Sequence, residues 1–272
     1  MQKLFTGILF LACTYLPALG QDSKDFVLGK VLQLHSGILN EDRTLNIYLP
    51  EGYHADSSYP VIYLLDGGAD EDFIHVVGLV QYNTFEWINR IPKSIVVGIA
   101  NTNRKKDFTF PTTVESDKKL IPVNGGSANF ISFIEKELQP FINNKYKTTG
   151  TETLIGQSLG GLLATEILFT KPSLFDKYII ISPSLWWDDG SMLKHSIPSI
   201  SGTTGIYIGV GKEGSFDGKH VMEDDARQLA EQLKAKGMNV YFDYLPEEDH
   251  ATAGHPALFN AFRLLYPKKA ED

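Results

Sequence analysis

A serine hydroxyl becomes a nucleophile only where a base takes its proton and an acid holds that base in place. This chain carries residues of all three kinds in the order such chemistry needs. Gly156-Gln157-Ser158-Leu159-Gly160-Gly161 lies where an apolar run ends and a stretch of helical periodicity begins. A Gly-x-Ser-x-Gly turn between a strand and a helix holds the serine on a sharp, strained bend. Flanking residues without Cβ atoms let the two elements approach closely. The helix N-terminus beneath the turn offers free N–H groups and the positive end of its dipole to developing negative charge. Ser158 is the candidate nucleophile.

In such an arrangement the base comes last in chain order, on the loop after the final strand. Residues 240–245 read as that strand and Pro246-Glu247-Glu248-Asp249-His250 as the loop, which makes His250 the candidate base. His255, at the start of the last helical stretch, is held in reserve, while His195 and His220 precede the strand and read as surface residues. The acid should follow the preceding strand, residues 206–210, where Gly211-Lys212-Glu213-Gly214-Ser215-Phe216-Asp217 offers two carboxylates. Glu213 is nearer the strand end and sits between glycines that suit a tight turn. Asp217 stays open as the alternative. Glu223, Asp224 and Asp225 read as the acidic first turn of a helix. An oxyanion would be held by two backbone donors: the N–H of Leu159, directly after the nucleophile, and that of Gly68 in Asp66-Gly67-Gly68-Ala69, with Gly67 next in line.

These residues need a scaffold that alternates strands and helices. Strand-like runs occur at residues 31–35, 44–49, 60–65, 94–99, 152–155, 178–181, 206–210 and 240–245. Several are continuously apolar, as strands buried on both faces are. Helical spacing marks residues 127–142, 159–169, 221–236 and 256–265, and Gly237 follows as a helix stop. With no internal repeat, low-complexity tract or long linker, the pattern predicts one α/β domain over residues 21–272. Its expected core is an eight-stranded, mostly parallel sheet flanked by helices, a layering that fits an α/β-hydrolase and that periodicity alone does not separate from other doubly wound folds.

The first 20 residues read differently. Lys3 precedes an apolar stretch at residues 4–11, and Ala18 and Gly20 lie just before Gln21. This predicts a secretory signal peptide at residues 1–20, too short for a membrane span, and a secreted or periplasmic protein. The single cysteine, Cys13, lies in that segment. It loosely fits a lipoprotein acceptor, the second choice, and its removal leaves no thiol for disulfides or metal. A net charge of −8 argues against nucleic acid as a partner, since phosphate binding needs clustered cations. The one basic knot, Arg104-Lys105-Lys106, is followed at once by Asp107.

Several segments together resemble the esterase branch of the α/β-hydrolases: Tyr63-Leu64-Leu65-Asp66-Gly67, the Gly125-Gly126 step before the helix at 130–138, the Ser158 turn, and Ser182-Pro183-Ser184-Leu185-Trp186-Trp187. That branch includes esterase D-like enzymes, feruloyl and acetyl-xylan esterases, and esterases that open trilactone siderophores. The Ser-Pro-Ser-Leu-Trp-Trp run and Gly211-Lys212-Glu213 are most similar to the siderophore esterases of the enterobactin and bacillibactin type. The resemblance implies a serine carboxylesterase with Ser158, Glu213 and His250 in the triad roles, a small-molecule or oligosaccharide ester as substrate, and no required metal or other cofactor. Trp186 and Trp187 are candidate pocket residues able to stack on an aromatic acyl group. Arg104, with Lys105 and Lys106, is the candidate cation for an anionic substrate. Acyl transfer to another alcohol, a silent binding protein on the same scaffold, and a metallohydrolase are the rival readings. His250 and His255 lack the spacing of helical zinc ligands.

Overall fold

The computed structural model describes residues 23–199 and 204–267; the expected leader and Cys13 lie outside them. Eight strands form one sheet: β1 (Lys30–Ser36), β2 (Glu41–Tyr48), β3 (Tyr59–Leu64), β4 (Ile95–Ile99), β5 (Thr148–Gln157), β6 (Lys177–Ile181), β7 (Gly205–Gly211) and β8 (Asn239–Leu245). Their order across the sheet is β1-β2-β4-β3-β5-β6-β7-β8. β2 runs antiparallel to both its neighbours, and every pairing from β4 through β8 is parallel. This is the mostly parallel sheet that the sequence predicts, with all eight strands where the apolar runs fall.

Period-two alternation explains how one sheet serves two cores. Tyr63, Val97, Leu154, Ile180 and Ile208 face one side and pack against α4 (Ser127–Phe133), α6 (Leu159–Thr170) and α8 (Met222–Ala235). Their neighbours Ile62, Val96, Ile155, Ile179 and Tyr207 face the other, under α1 (Phe73–Thr84) and α9 (Gly254–Leu265). Each fully buried aliphatic side chain contributes about 1.5–3 kcal/mol by leaving water. The central strands are therefore fixed in register by both faces at once.

The helices depart from expectation in three places. α1 is absent from the sequence reading because Ile74, Val76, Val77 and Val80 give it a strand-like composition. Its buried face, Phe73, Val76, Val77 and Val80, nonetheless keeps helical spacing. α2 (Arg104–Asp107) and α3 (Glu115–Leu120) are too short to register a period. The helical stretch at 127–142 runs on as a π turn (Ile134–Leu138) and α5 (Gln139–Lys145). The widened turn lies just before Pro140, whose ring would crowd the carbonyl four residues earlier in a regular helix. A further short turn, α7 (Trp187–Gly190), follows β6. Among the described residues, no helix is long and apolar enough to cross a membrane.

Candidate active site

β5 delivers Ser158 to the C-terminal end of the sheet, and α6 begins at the next residue. Ser158 has φ 60° and ψ −121°, a conformation that costs a residue with a Cβ and persists only where surroundings enforce it. They do so here. The Ser158 N–H donates to the Ile181 carbonyl at 3.0 Å, and its carbonyl accepts from Leu162 at 3.0 Å and Ser184 at 3.1 Å. A Cβ on Gly156 would stand 2.3 Å from the Gly160 carbonyl oxygen, and one on Gly161 would stand 2.9 Å from Pro183 Cα. The glycines are there because strand, turn and helix touch backbone to backbone.

The loop after β8 places His250 over this bend. Its Nε2 lies 3.0 Å from Ser158 Oγ, and its Nδ1 lies 2.7 Å from Glu213 Oε2. The Gln157 amide donates to the His250 carbonyl at 2.9 Å, and the Lys212 N–H donates to the Glu248 carbonyl at 2.6 Å. The loops bearing Glu213 and His250 are thereby tied to each other and to the bend. Asp249 caps the turn beyond by accepting the N–H groups of Ala251 and Thr252, and these bonds hold its carboxyl below the usual range. The Glu213 carboxylate is 3% exposed and also accepts from Ser182 Oγ and, at 3.3 Å, from the Gly211 N–H.

The other candidates fall elsewhere. Asp217 is exposed and accepts the N–H groups of Lys219 and His220, so it closes its own turn rather than facing His250. His255 pairs with His75 at 2.8 Å across the starts of α9 and α1. His220 is not a free surface residue: it is half-buried, with Nδ1 3.1 Å from Asp225 Oδ2. The acidic first turn of α8 is as expected, but Glu223 also accepts the N–H groups of Glu213 at 3.0 Å and Gly214 at 3.1 Å. Among the described residues, no three His, Cys, Asp or Glu side chains converge as metal ligands would.

Leu159 opens α6, so its N–H belongs to the first turn, which has no intrahelical acceptors. The second expected donor must be corrected. The Gly68 N–H donates to Glu71 Oε2 at 2.7 Å, the Gly67 N–H donates to the Ile99 carbonyl at 2.9 Å, and neither residue lines a cavity at Ser158. Gly67 is a glycine because a Cβ would stand 2.3 Å from Gly98 Cα on the neighbouring strand. The group beside Ser158 on this side is Arg104. Its Nε and Nη2 donate to Asp66 at 2.6 and 2.8 Å, and Nη2 reaches the Gln157 carbonyl at 3.3 Å. A bidentate carboxylate fixes the plane of a guanidinium as well as its position. Asp107 does not offset this cation; it is buried against Arg43 at 2.5 Å.

Ser158 and His250 lie at the floor of a cavity of about 450 Å³ that Arg104 and Lys105 also line. Trp186 and Phe216 form one wall, their rings stacked at 4.1 Å and 15°. Leu120 and Ile121 line another side. Trp187 does not belong to this wall. Its side chain is fully buried, with Nε1 donating to the Phe110 carbonyl at 2.9 Å, so it is a core residue. Sequence reasoning also missed Ser184, whose Oγ lies 3.4 Å from that of Ser158, and Ser182 behind Glu213. Both are fixed by the course of the chain after β6, which no local pattern announces.

The family model described as "Putative esterase" matches residues 36–263. The chain is 32% identical over 253 residues to the ferri-bacillibactin esterase BesA of Bacillus subtilis, covering 84% of this chain and 87% of that protein. Among solved structures, it is similar to an IroE-like serine hydrolase from Shewanella oneidensis: TM-score 0.78, 33% identity, 90% of this chain and 82% of that one. It is also similar to the BES protein from Bacillus cereus: TM-score 0.76, 28% identity, 91% of this chain and 99% of that one. Structural likeness and shared sequence over most of the chain, with the family match, lead to one conclusion: this chain belongs to the esterase family of α/β-hydrolases.

Proposed function

We propose that this protein hydrolyses carboxylic esters through an acyl-enzyme on Ser158, and that its substrates are siderophore lactones bearing aromatic acyl groups. The observation that carries the reading is His250, which stands between Ser158 Oγ at 3.0 Å and the buried Glu213 carboxylate at 2.7 Å, at the floor of an open cavity. His250 Nε2 takes the Ser158 proton as Oγ attacks the ester carbonyl. In this reading the Leu159 N–H, with the Arg104 guanidinium that lines the same cavity, stabilises the oxygen that becomes negative. The same Nε2 then protonates the leaving alcohol and, in the second half, activates water. Glu213 holds the tautomer with the proton on Nδ1 throughout.

The substrate class rests on two supports. The relatives similar over most of the chain include a ferri-bacillibactin esterase, and the Trp186–Phe216 wall with Arg104 and Lys105 suits a planar, electron-rich acyl group carrying negative charge. The same aromatic wall also favours a feruloyl ester, which is the second reading. Competition between a catecholoyl-serine trilactone and a feruloylated oligosaccharide decides: the first reading predicts the larger kcat/KM for the trilactone, and the reverse order refutes it. We further propose that residues 1–20 direct export; the mass of the mature chain, expected to begin at Gln21, tests this.

A further inference from the structure

Glutamate has one more side-chain torsion than aspartate, and its terminal torsion is broad. A glutamate that orients a histidine therefore needs its carboxylate fixed as well as its backbone. In this protein the two tasks fall to different residues. Glu223 accepts the N–H groups of Glu213 and Gly214 and so fixes the loop backbone. It does nothing to the Glu213 carboxylate, which is 3% exposed and has no Lys or Arg partner among the described residues.

We propose that Ser182 is a positioning residue for Glu213, acting through it on His250; the proposal rests on the esterase reading above. Ser182 follows β6, is fully buried, and donates its hydroxyl to Glu213 Oε1, leaving Oε2 for His250 Nδ1. Its own N–H donates to the Gly209 carbonyl on β7 at 2.8 Å, so the hydroxyl is anchored to the end of the sheet. Its φ is 45°, a left-handed value at which a serine is strained and a glycine would not be. The site therefore retains a hydroxyl at a conformational cost. With the hydroxyl gone, Oε1 keeps only the 3.3 Å contact with the Gly211 N–H, and the carboxylate plane can rotate away from the imidazole.

The test is Ser182→Gly, which removes the hydroxyl and relaxes the backbone, with Ser182→Ala as the companion that keeps the Cβ. Kinetics on a short activated ester are read beside the proton NMR signal of His250 Nδ1–H, which a hydrogen bond to a carboxylate moves far downfield. The expected result is a kcat lower by about tenfold to a hundredfold, the worth of one bond to a buried charge. KM should stay nearly unchanged, and the Nδ1 proton should move upfield or be lost in both folded variants. A kcat within about a factor of two of wild type, or an unmoved Nδ1 resonance, overturns the proposal. Fluorophosphonate labelling of wild type separates this from the larger reading. An adduct with an unaffected Ser182→Gly removes the positioning role alone; no adduct removes both.

Discussion

Glu166 sits on α6, two turns beyond Ser158, and is 8% exposed. Its Oε1 accepts from Ser127 Oγ at 2.9 Å, while Oε2 has no partner among the described residues. Burial pushes its carboxyl up from 4.5 to about 7, with the Ser127 bond opposing. The folded state thus holds this proton more tightly than the unfolded state does. Below pH 4.5 the group is neutral in both states and burial is cheap. As pH rises towards 7 the unfolded chain ionises first, and stability falls until both states are ionised. The interval from 4.5 to about 7 corresponds to about 3 kcal/mol at high pH. Glu166→Gln keeps the shape and the Ser127 bond but has no charge to bury. Its unfolding free energy relative to wild type should rise from less than about 1 kcal/mol at pH 5 to about 3 kcal/mol at pH 9. Urea unfolding at pH 5, 7 and 9 measures this, with equal m-values required. A difference flat to within about 0.5 kcal/mol over that range would show that the buried carboxylate is not titrating as argued.

Three further outcomes follow from the site and its supports. Glu213→Gln, which keeps the size of the acid and removes its charge, should lower kcat by about 10³–10⁴-fold on an activated ester, as loss of the orienting acid does elsewhere; a loss below tenfold would take Glu213 out of the role. Phe216→Ala dismantles the stacked wall, and KM for an aryl-acyl ester should rise about fivefold while an acetyl ester is unaffected, the worth of one aromatic contact; equal effects on both esters would count against the wall. Asp107→Asn leaves Arg43, 1% exposed, with only the Glu41 carboxylate beside it. Because Glu41 still compensates the charge, urea unfolding should show a loss of about 1.5–3 kcal/mol, the worth of one hydrogen bond to a charged group; no loss would show that the Asp107 bond contributes nothing to stability.

The central strands were legible because they are buried on both faces and so read as apolar runs. The Ser158 bend was legible because strain and close approach demand glycine at fixed offsets. Chain order then pointed to His250 and Glu213. What stayed hidden depends on partners far away in sequence. Gly68 was expected to offer its N–H to substrate, but Glu71 takes it, and the tight approach to Gly98 explains the neighbouring glycine. Arg104 was legible as a cation, but the Asp66 carboxylate that fixes it lies 38 residues away. Trp186 and Trp187 are adjacent and chemically alike. Only the fold decides that one lines the cavity and the other fills the core. α1 escaped because its β-branched residues mask a helical face, and α2 and α3 because one turn carries no period.

The central claim is that Ser158 is an activated nucleophile. Intact mass after incubation with a fluorophosphonate tests it most directly, on wild type and on Ser158→Ala. The account predicts one adduct on wild type and none on the variant. No adduct on a folded wild type, or an equal adduct on both, would contradict it.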